Sequence, residues 1–171
     1  MWVKKVNQFK LEFDYNESPA SNNAISVFIS VEFDQIKMKD ILDIDEFFHS
    51  IETKGIIPLF TCDCGVFGCG GYYVEVISED EGLIFKNSYK PFEKPESNAI
   101  LENFEFHVSW EDVIFLGNQI IDVLEEIKGK WPEHIIFSGT LGVVNLSERS
   151  NVYKNILIGL KAKLKKRQHH P

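Results

Sequence analysis

The first clear signal along the chain is a two-residue alternation. Phe9, Leu11, Phe13 and Tyr15 alternate with Lys10, Glu12 and Asp14, the period of a strand with one buried face. After a turn-forming segment over 16–23 the pattern resumes, with Ile25, Val27, Ile29, Val31 and Phe33 set against Ser26, Ser30 and Glu32. The spacing predicts two strands, 9–15 and 25–33, paired antiparallel.

The period then changes. Asp43 followed by Glu46 has the form of a capping box with Asp in place of Ser or Thr, and Ile44, Phe47, Phe48 and Ile51 recur at helical spacing up to Gly55. A short helix over 44–54 is predicted. Residues 56–61 form an apolar run broken by Pro58, which suits an edge or a strand entrance. Residues 72–78 read as a strand, Glu79-Asp80-Glu81-Gly82 as a tight acidic turn, and 83–87 as the hairpin partner. Phe104, Phe106, Val108 and Trp110 then alternate with Asn103, Glu105, His107 and Ser109, which puts His107 on the polar face.

A second box, Ser109 with Asp112, opens a long amphipathic seam of Val113, Leu116, Ile120, Leu124 and Ile127 that ends near Gly129. Gly117-Asn118 interrupts the seam and allows a start as late as Asn118. Short strands are expected at 135–137 and 141–146. Ser150 or Asn151 then caps a last helix, with Val152, Ile156, Leu157, Leu160 and Leu164 as its apolar stripe and lysines on the other face. The elements predict one α+β domain over residues 1–171: a mainly antiparallel sheet, a short helix before the cysteine loop, and two C-terminal helices packed on the sheet. Residues 161–171 are a basic tail that can fray.

Composition supports this picture. A chain of 171 residues, 44% hydrophobic and 26% charged, fits a single globular domain, and its fourteen Phe favour strands and large buried contacts. The net charge is −8, yet residues 161–171 add five positive charges and no acid, leaving thirteen net negative charges on residues 1–160. Such a body disfavours nucleic acid and attracts a basic protein. The basic last helix is expected to dock on that body, so no nucleic-acid or membrane partner is predicted. Residues 1–8 are followed by Lys10, Glu12 and Asp14 instead of an apolar stretch, so no secretion signal is expected. With three cysteines, a reducing cytoplasm is the expected compartment and a disulfide scaffold is not expected.

Unusual chemistry is concentrated in residues 60–71, which hold all three cysteines and four of the eleven glycines. Cys62, Cys64 and Cys69 are three soft ligands within eight residues. A tetrahedral zinc would need a fourth, for which His107 is the first candidate and His49, His134 or water are the others. Alternatively, the cysteines are reduced small residues filling space in a Gly-rich hairpin. A redox reading has Cys64 and Cys69 closing a disulfide, or Cys62 acting as a nucleophile, but the spacing is not CxxC and leads into no helix N-terminus. The glycines do not match a phosphate-binding loop. No residue is assigned a catalytic role, and no cofactor other than zinc is suggested.

The segment Leu59-Phe60-Thr61-Cys62-Asp63-Cys64-Gly65-Val66-Phe67-Gly68-Cys69-Gly70-Gly71, followed by a strand hairpin and then Trp110 before a helix, resembles an uncharacterised bacterial family bearing CxCGxxGC. The likeness extends over residues 8–128 and implies a small cytosolic bacterial protein without implying an activity. The sequence therefore points to a non-catalytic protein-interaction module with a Cys-rich structural hairpin, immunity-type inhibition of a basic toxin being one concrete version. The alternative is a thiol-dependent redox enzyme or sensor.

Overall fold

The alternating segments become strands and the 3.6-residue seams become helices. The computed structural model describes residues 4–5, 9–17, 24–62, 70–90, 100–130, 135–138 and 142–168. Their order is β1 (Lys4–Lys5), β2 (Phe9–Glu17), β3 (Ala24–Phe33), β4 (Ile36–Lys37), β5 (Ile41–Leu42), α1 (Ile44–Glu52), β6 (Gly55–Thr61), β7 (Tyr72–Ser78), β8 (Gly82–Tyr89), β9 (Ile100–Ser109), α2 (Trp110–Lys130), β10 (Ile135–Ser138), β11 (Gly142–Asn145) and α3 (Leu146–Gln168).

The strands divide into two sheets. The first has the order β1-β9-β8-β7-β6-β5, and the second runs β11-β10-β3-β2 with β4 also on β3. All pairings are antiparallel except β1 with β9 and β10 with β3. The 9–17 and 24–33 segments pair antiparallel from Phe9 opposite Phe33 to Glu17 opposite Ile25. The fold is thus a single α+β arrangement with helices packed on a curled sheet.

Partners directly opposite in an antiparallel ladder share a face. Val76, Phe85 and Phe106 therefore form one row, and all three are buried. Phe33 from the second sheet stacks on Phe85 and Phe106, with ring centroids 6.1 and 5.0 Å away. The seam of α2 is buried along its whole predicted length, from Val113 to Ile127, against β8 and β9.

Local signals explain the helix boundaries. The Asp43 side chain accepts a hydrogen bond from the Glu46 amide at 3.0 Å, capping α1. At the next box, the Asp112 amide donates to Ser109 Oγ at 3.1 Å and the Ser109 hydroxyl donates to Asp112 at 2.6 Å. Helix α2 accordingly begins at Trp110, and Gly117 lies within it. The last helix starts earlier than the sequence suggests, at Leu146 directly after β11. Ser150 is inside it, and its hydroxyl donates to Glu125 of α2 instead of capping the helix. Val152 is 40% exposed, whereas Tyr153 is 4% exposed and takes its place in the buried stripe. Residues 161–168 of the basic tail are helical; residues 169–171 lie outside the described residues.

Pro58 coincides with a register shift between Ile57 and Phe60 in the β6–β7 pair. On its other side β6 meets β5 only at Thr61 and Phe60, so the proline occupies a stretch where a missing backbone donor costs no ladder bond to β5. A second irregularity is at Asn87, which has φ 53 and sits where β8 shifts register against both neighbours. This is a bulge position suited to an asparagine.

Candidate functional site

Strand β7 has the cysteine loop at one end and the acidic turn at the other. At the loop end the returning chain lies almost backbone to backbone on the end of β6. A Cβ on Gly70 would sit 2.7 Å from Cys62 Cβ, and one on Gly71, at φ 86, would sit 2.2 Å from the Phe60 carbonyl oxygen. Only glycine permits both the approach and the left-handed conformation. Phe60 and Tyr72 stack just beyond, with centroids 4.9 Å apart. Burial, followed by the charges of Asp40 and Glu102, pushes the Tyr72 hydroxyl well above its ordinary range. It is therefore a neutral phenol at physiological pH.

Cys62 is half-buried and disulfide-bonded. The other two cysteines, Cys64 and Cys69, lie outside the described residues. The expectation of reduced thiols is corrected at Cys62.

His107 is far from this loop. It faces Ile84 of β8, which faces Ile77 of β7, at the level where β6 begins near Gly55. Cys62 follows the opposite end of β6. Strand spacing places His107 about 14 Å away across the sheet and about 23 Å along it. His107 and Cys62 therefore do not share a coordination sphere in this fold. The histidine is half-buried on the face of the sheet away from Phe85, and its Nε2 is buried without a hydrogen-bond partner. Of the other histidines considered, His49 is exposed near the end of α1 and His134 lies outside the described residues. With Cys62 oxidised, the zinc ligand set Cys62, Cys64 and Cys69 fits only the reduced loop, because a metal ligand must be a thiolate. Among the described residues no three His, Cys, Asp or Glu side chains are grouped to hold a metal.

At the other end of β7, Trp110 ties down the acidic turn. Its Nε1 donates to the carbonyls of Glu79 and Asp80 at 3.2 and 3.0 Å, and its backbone amide donates to the Glu81 carbonyl at 3.1 Å. The Glu79 amide closes the turn on the Gly82 carbonyl at 2.9 Å. Backbone polarity is thus directed inward while the three acidic residues are exposed; the Asp80 side chain is 95% exposed. This role of Trp110 was not anticipated from the sequence, where it reads only as the last apolar position of a strand.

Clefts of mixed charge run along α3 and reach this turn. One of about 270 Å³ lies between α1 and α3 and includes Asp45, Glu46, His49, Glu52, Arg149 and Tyr153. A second, of about 150 Å³, shares Glu52 and Ile156 with it and continues past Trp110 and Lys163 to Arg167. A third, open and about 550 Å³, joins Arg167 to Ser78 and the acidic turn. Arg167 lies 3.4 Å from the Asp80 carboxylate and donates to its carbonyl at 3.3 Å. Asp45, nearly fully buried, is met by the Tyr153 hydroxyl and by Arg149 at 3.6 Å. Burial, with the Asp45 charge and hydrogen bond behind it, holds the Tyr153 hydroxyl far above its ordinary range, so it serves as a neutral donor. Burial, then the Asp43 charge, raises the Glu46 carboxyl above its usual 4.5.

Comparison with known proteins finds no matching family model, no matching curated protein and no matching solved structure. Two features thus stand at opposite ends of β7: the disulfide-bonded Cys62 and the acidic turn hydrogen-bonded to Trp110. No helix among the described residues is long and apolar enough to cross a membrane.

Proposed function

We propose that the protein is a non-catalytic interaction module that receives a basic segment of a partner protein on the acidic turn Glu79-Asp80-Glu81, where the segment competes with Arg167 for Asp80. The observation that carries this reading is the turn itself. Trp110 satisfies its backbone carbonyls, so its carboxylates are presented on a fixed frame and little ordering accompanies capture of a cation. Thirteen net negative charges on residues 1–160 add a field that draws in a basic protein. An immunity-type inhibitor of a basic bacterial toxin, acting in the cytoplasm, is a concrete form of this function, motivated by the size and acidic charge of the chain.

The test is the affinity for candidate basic partners at low and high salt, for the wild type and for E79Q/D80N/E81Q. Binding should weaken as salt rises, and the triple variant should bind more weakly with a shallower salt dependence. Salt-independent binding would sink the proposal. Zinc belongs to the reduced loop in this reading, with Cys62, Cys64 and Cys69 as thiolate ligands and a fourth ligand other than His107. Elemental analysis of protein purified under reducing conditions without added metal, with less than stoichiometric zinc and no thermal shift on adding it, would remove that part.

A further inference from the structure

We infer that the end of α3 is an autoinhibitory strap on the acidic turn: Arg167 is a tethered cation that occupies Asp80 and lowers the affinity of the turn for a partner's basic segment until that segment displaces it. This rests on the interaction reading and adds to it the regulation of the same surface.

Three observations support it. Arg167 Nη1 meets two acceptors on one residue, the Asp80 carbonyl at 3.3 Å and the Asp80 carboxylate at 3.4 Å. The same carbonyl accepts from Trp110 Nε1 at 3.0 Å. A carbonyl oxygen has two lone pairs, so the arginine completes an acceptor whose position the tryptophan already fixes. Next, Lys163 and Arg167 are one helical turn apart on one side of α3, and both line the cleft that runs past Trp110 and Ser78. Arg167 continues into the cleft of Glu79, Asp80 and Glu81. Lys165, two residues from each, points to the other side of the helix. Finally, α3 is anchored just before these residues, with Leu160 buried and Leu164 partly buried on the core.

This combination suits exchange. The Arg167 side chain is 56% exposed and that of Asp80 95% exposed, so the ion pair is bathed in water and opens easily. The anchored helix nevertheless keeps the guanidinium beside the turn, at an effective concentration of about a millimolar or more. A lone amine in solution competes poorly with a cation held in this way. A segment with several lysines also reaches the exposed carboxylates of Glu79 and Glu81, and so gains contacts that Arg167 does not make.

The test is the fluorescence anisotropy of a labelled octalysine peptide titrated with the full-length protein at physiological ionic strength, where charges more than about 8 Å apart are largely screened. The wild type is compared with R167Q, with K165Q as a control of equal charge change, with E79Q/D80N/E81Q, and with R167Q added to that triple variant. R167Q should bind the peptide about two- to fivefold more tightly than the wild type, and K165Q should bind as the wild type does. The triple variant should bind more weakly, and R167Q should add nothing to it. A gain in R167Q no larger than that in K165Q, or a gain that persists when the turn is neutralised, would overturn the inference while leaving the interaction reading in place. A triple variant that binds octalysine as tightly as the wild type would overturn the interaction reading, and the strap with it.

Discussion

Gly117 of α2 is packed so closely against Leu157 of α3 that a Cβ on the glycine would lie 3.0 Å from both δ-carbons of the leucine, and 3.4 Å from the Phe48 ring. The residue that weakens the helix is what allows the two helices to touch. Alanine there would gain about 1 kcal/mol of helix propensity and incur about 2 kcal/mol of overpacking. G117A should therefore destabilise the protein by about 1 kcal/mol in urea titration. In an L157A background the clash is gone, and the same change should stabilise by a similar amount. An additive double-mutant cycle would show that the contact has no such role.

Two carboxylates should respond to pH with opposite sign. Glu46 has its carboxyl raised above 4.5 by burial and then by Asp43, so the ionised form is disfavoured in the folded state. Its contribution is fully present below pH 4.5 and is lost as pH rises through the elevated folded value. E46Q should therefore stabilise at neutral pH, by about a few tenths of a kcal/mol given solvent screening, and have no effect in acid. Glu125 is lowered by the Lys154 hydrogen bond and then by that of Ser150. Its contribution is present above 4.5 and is lost as pH falls through the depressed folded value. E125Q should destabilise at neutral pH and become neutral in acid, as seen in Tm against pH for each variant.

Removing the Trp110 donor should loosen the acidic turn without dismantling the core. W110F retains most of the buried ring but leaves the Glu79 and Asp80 carbonyls without their shared Nε1 partner. A cost of about 1 kcal/mol is expected. The more specific readout is hydrogen exchange of the Glu79 amide, which closes the turn on Gly82 and should exchange faster in the variant. Unchanged exchange at this amide would remove the claim that Trp110 rigidifies the turn.

Asn87 combines a left-handed backbone, φ 53, with a buried Oδ1 that has no hydrogen-bond partner. Glycine adopts that conformation freely and removes the orphaned acceptor. N87G should raise stability by about 0.5–1 kcal/mol in chemical denaturation. A loss of stability would mean that the amide contributes packing that outweighs both effects.

Much of the fold was legible because local chemistry and tertiary structure agree. The Asp43 and Ser109 boxes mark their helices in sequence and form the predicted hydrogen bonds in space. The start of α3 was not legible: β11 passes directly into the helix at Leu146, and Ser150, polar in the right neighbourhood for a cap, is engaged with Glu125 across the helix pair. Alternation gave the face on which His107 lies but not strand order, and strand order is what separates it from Cys62. The glycines around the cysteines signalled a tight return. How closely the chain at Gly70 returns onto Cys62 is a tertiary distance that no spacing rule encodes.

Strand β2 has one further consequence. Among the described residues it pairs only with β3, which leaves its outer side as an edge of the second sheet. That edge carries exposed Lys10, Glu12 and Asp14, with Glu12 ion-paired to both Lys10 and Lys37. A strand from another molecule could continue the ladder only by crowding these charges against its own side chains, an arrangement that opposes intermolecular strand addition and aggregation. The same alternation that first marks the chain as a sheet former thus also keeps the sheet from growing beyond one molecule.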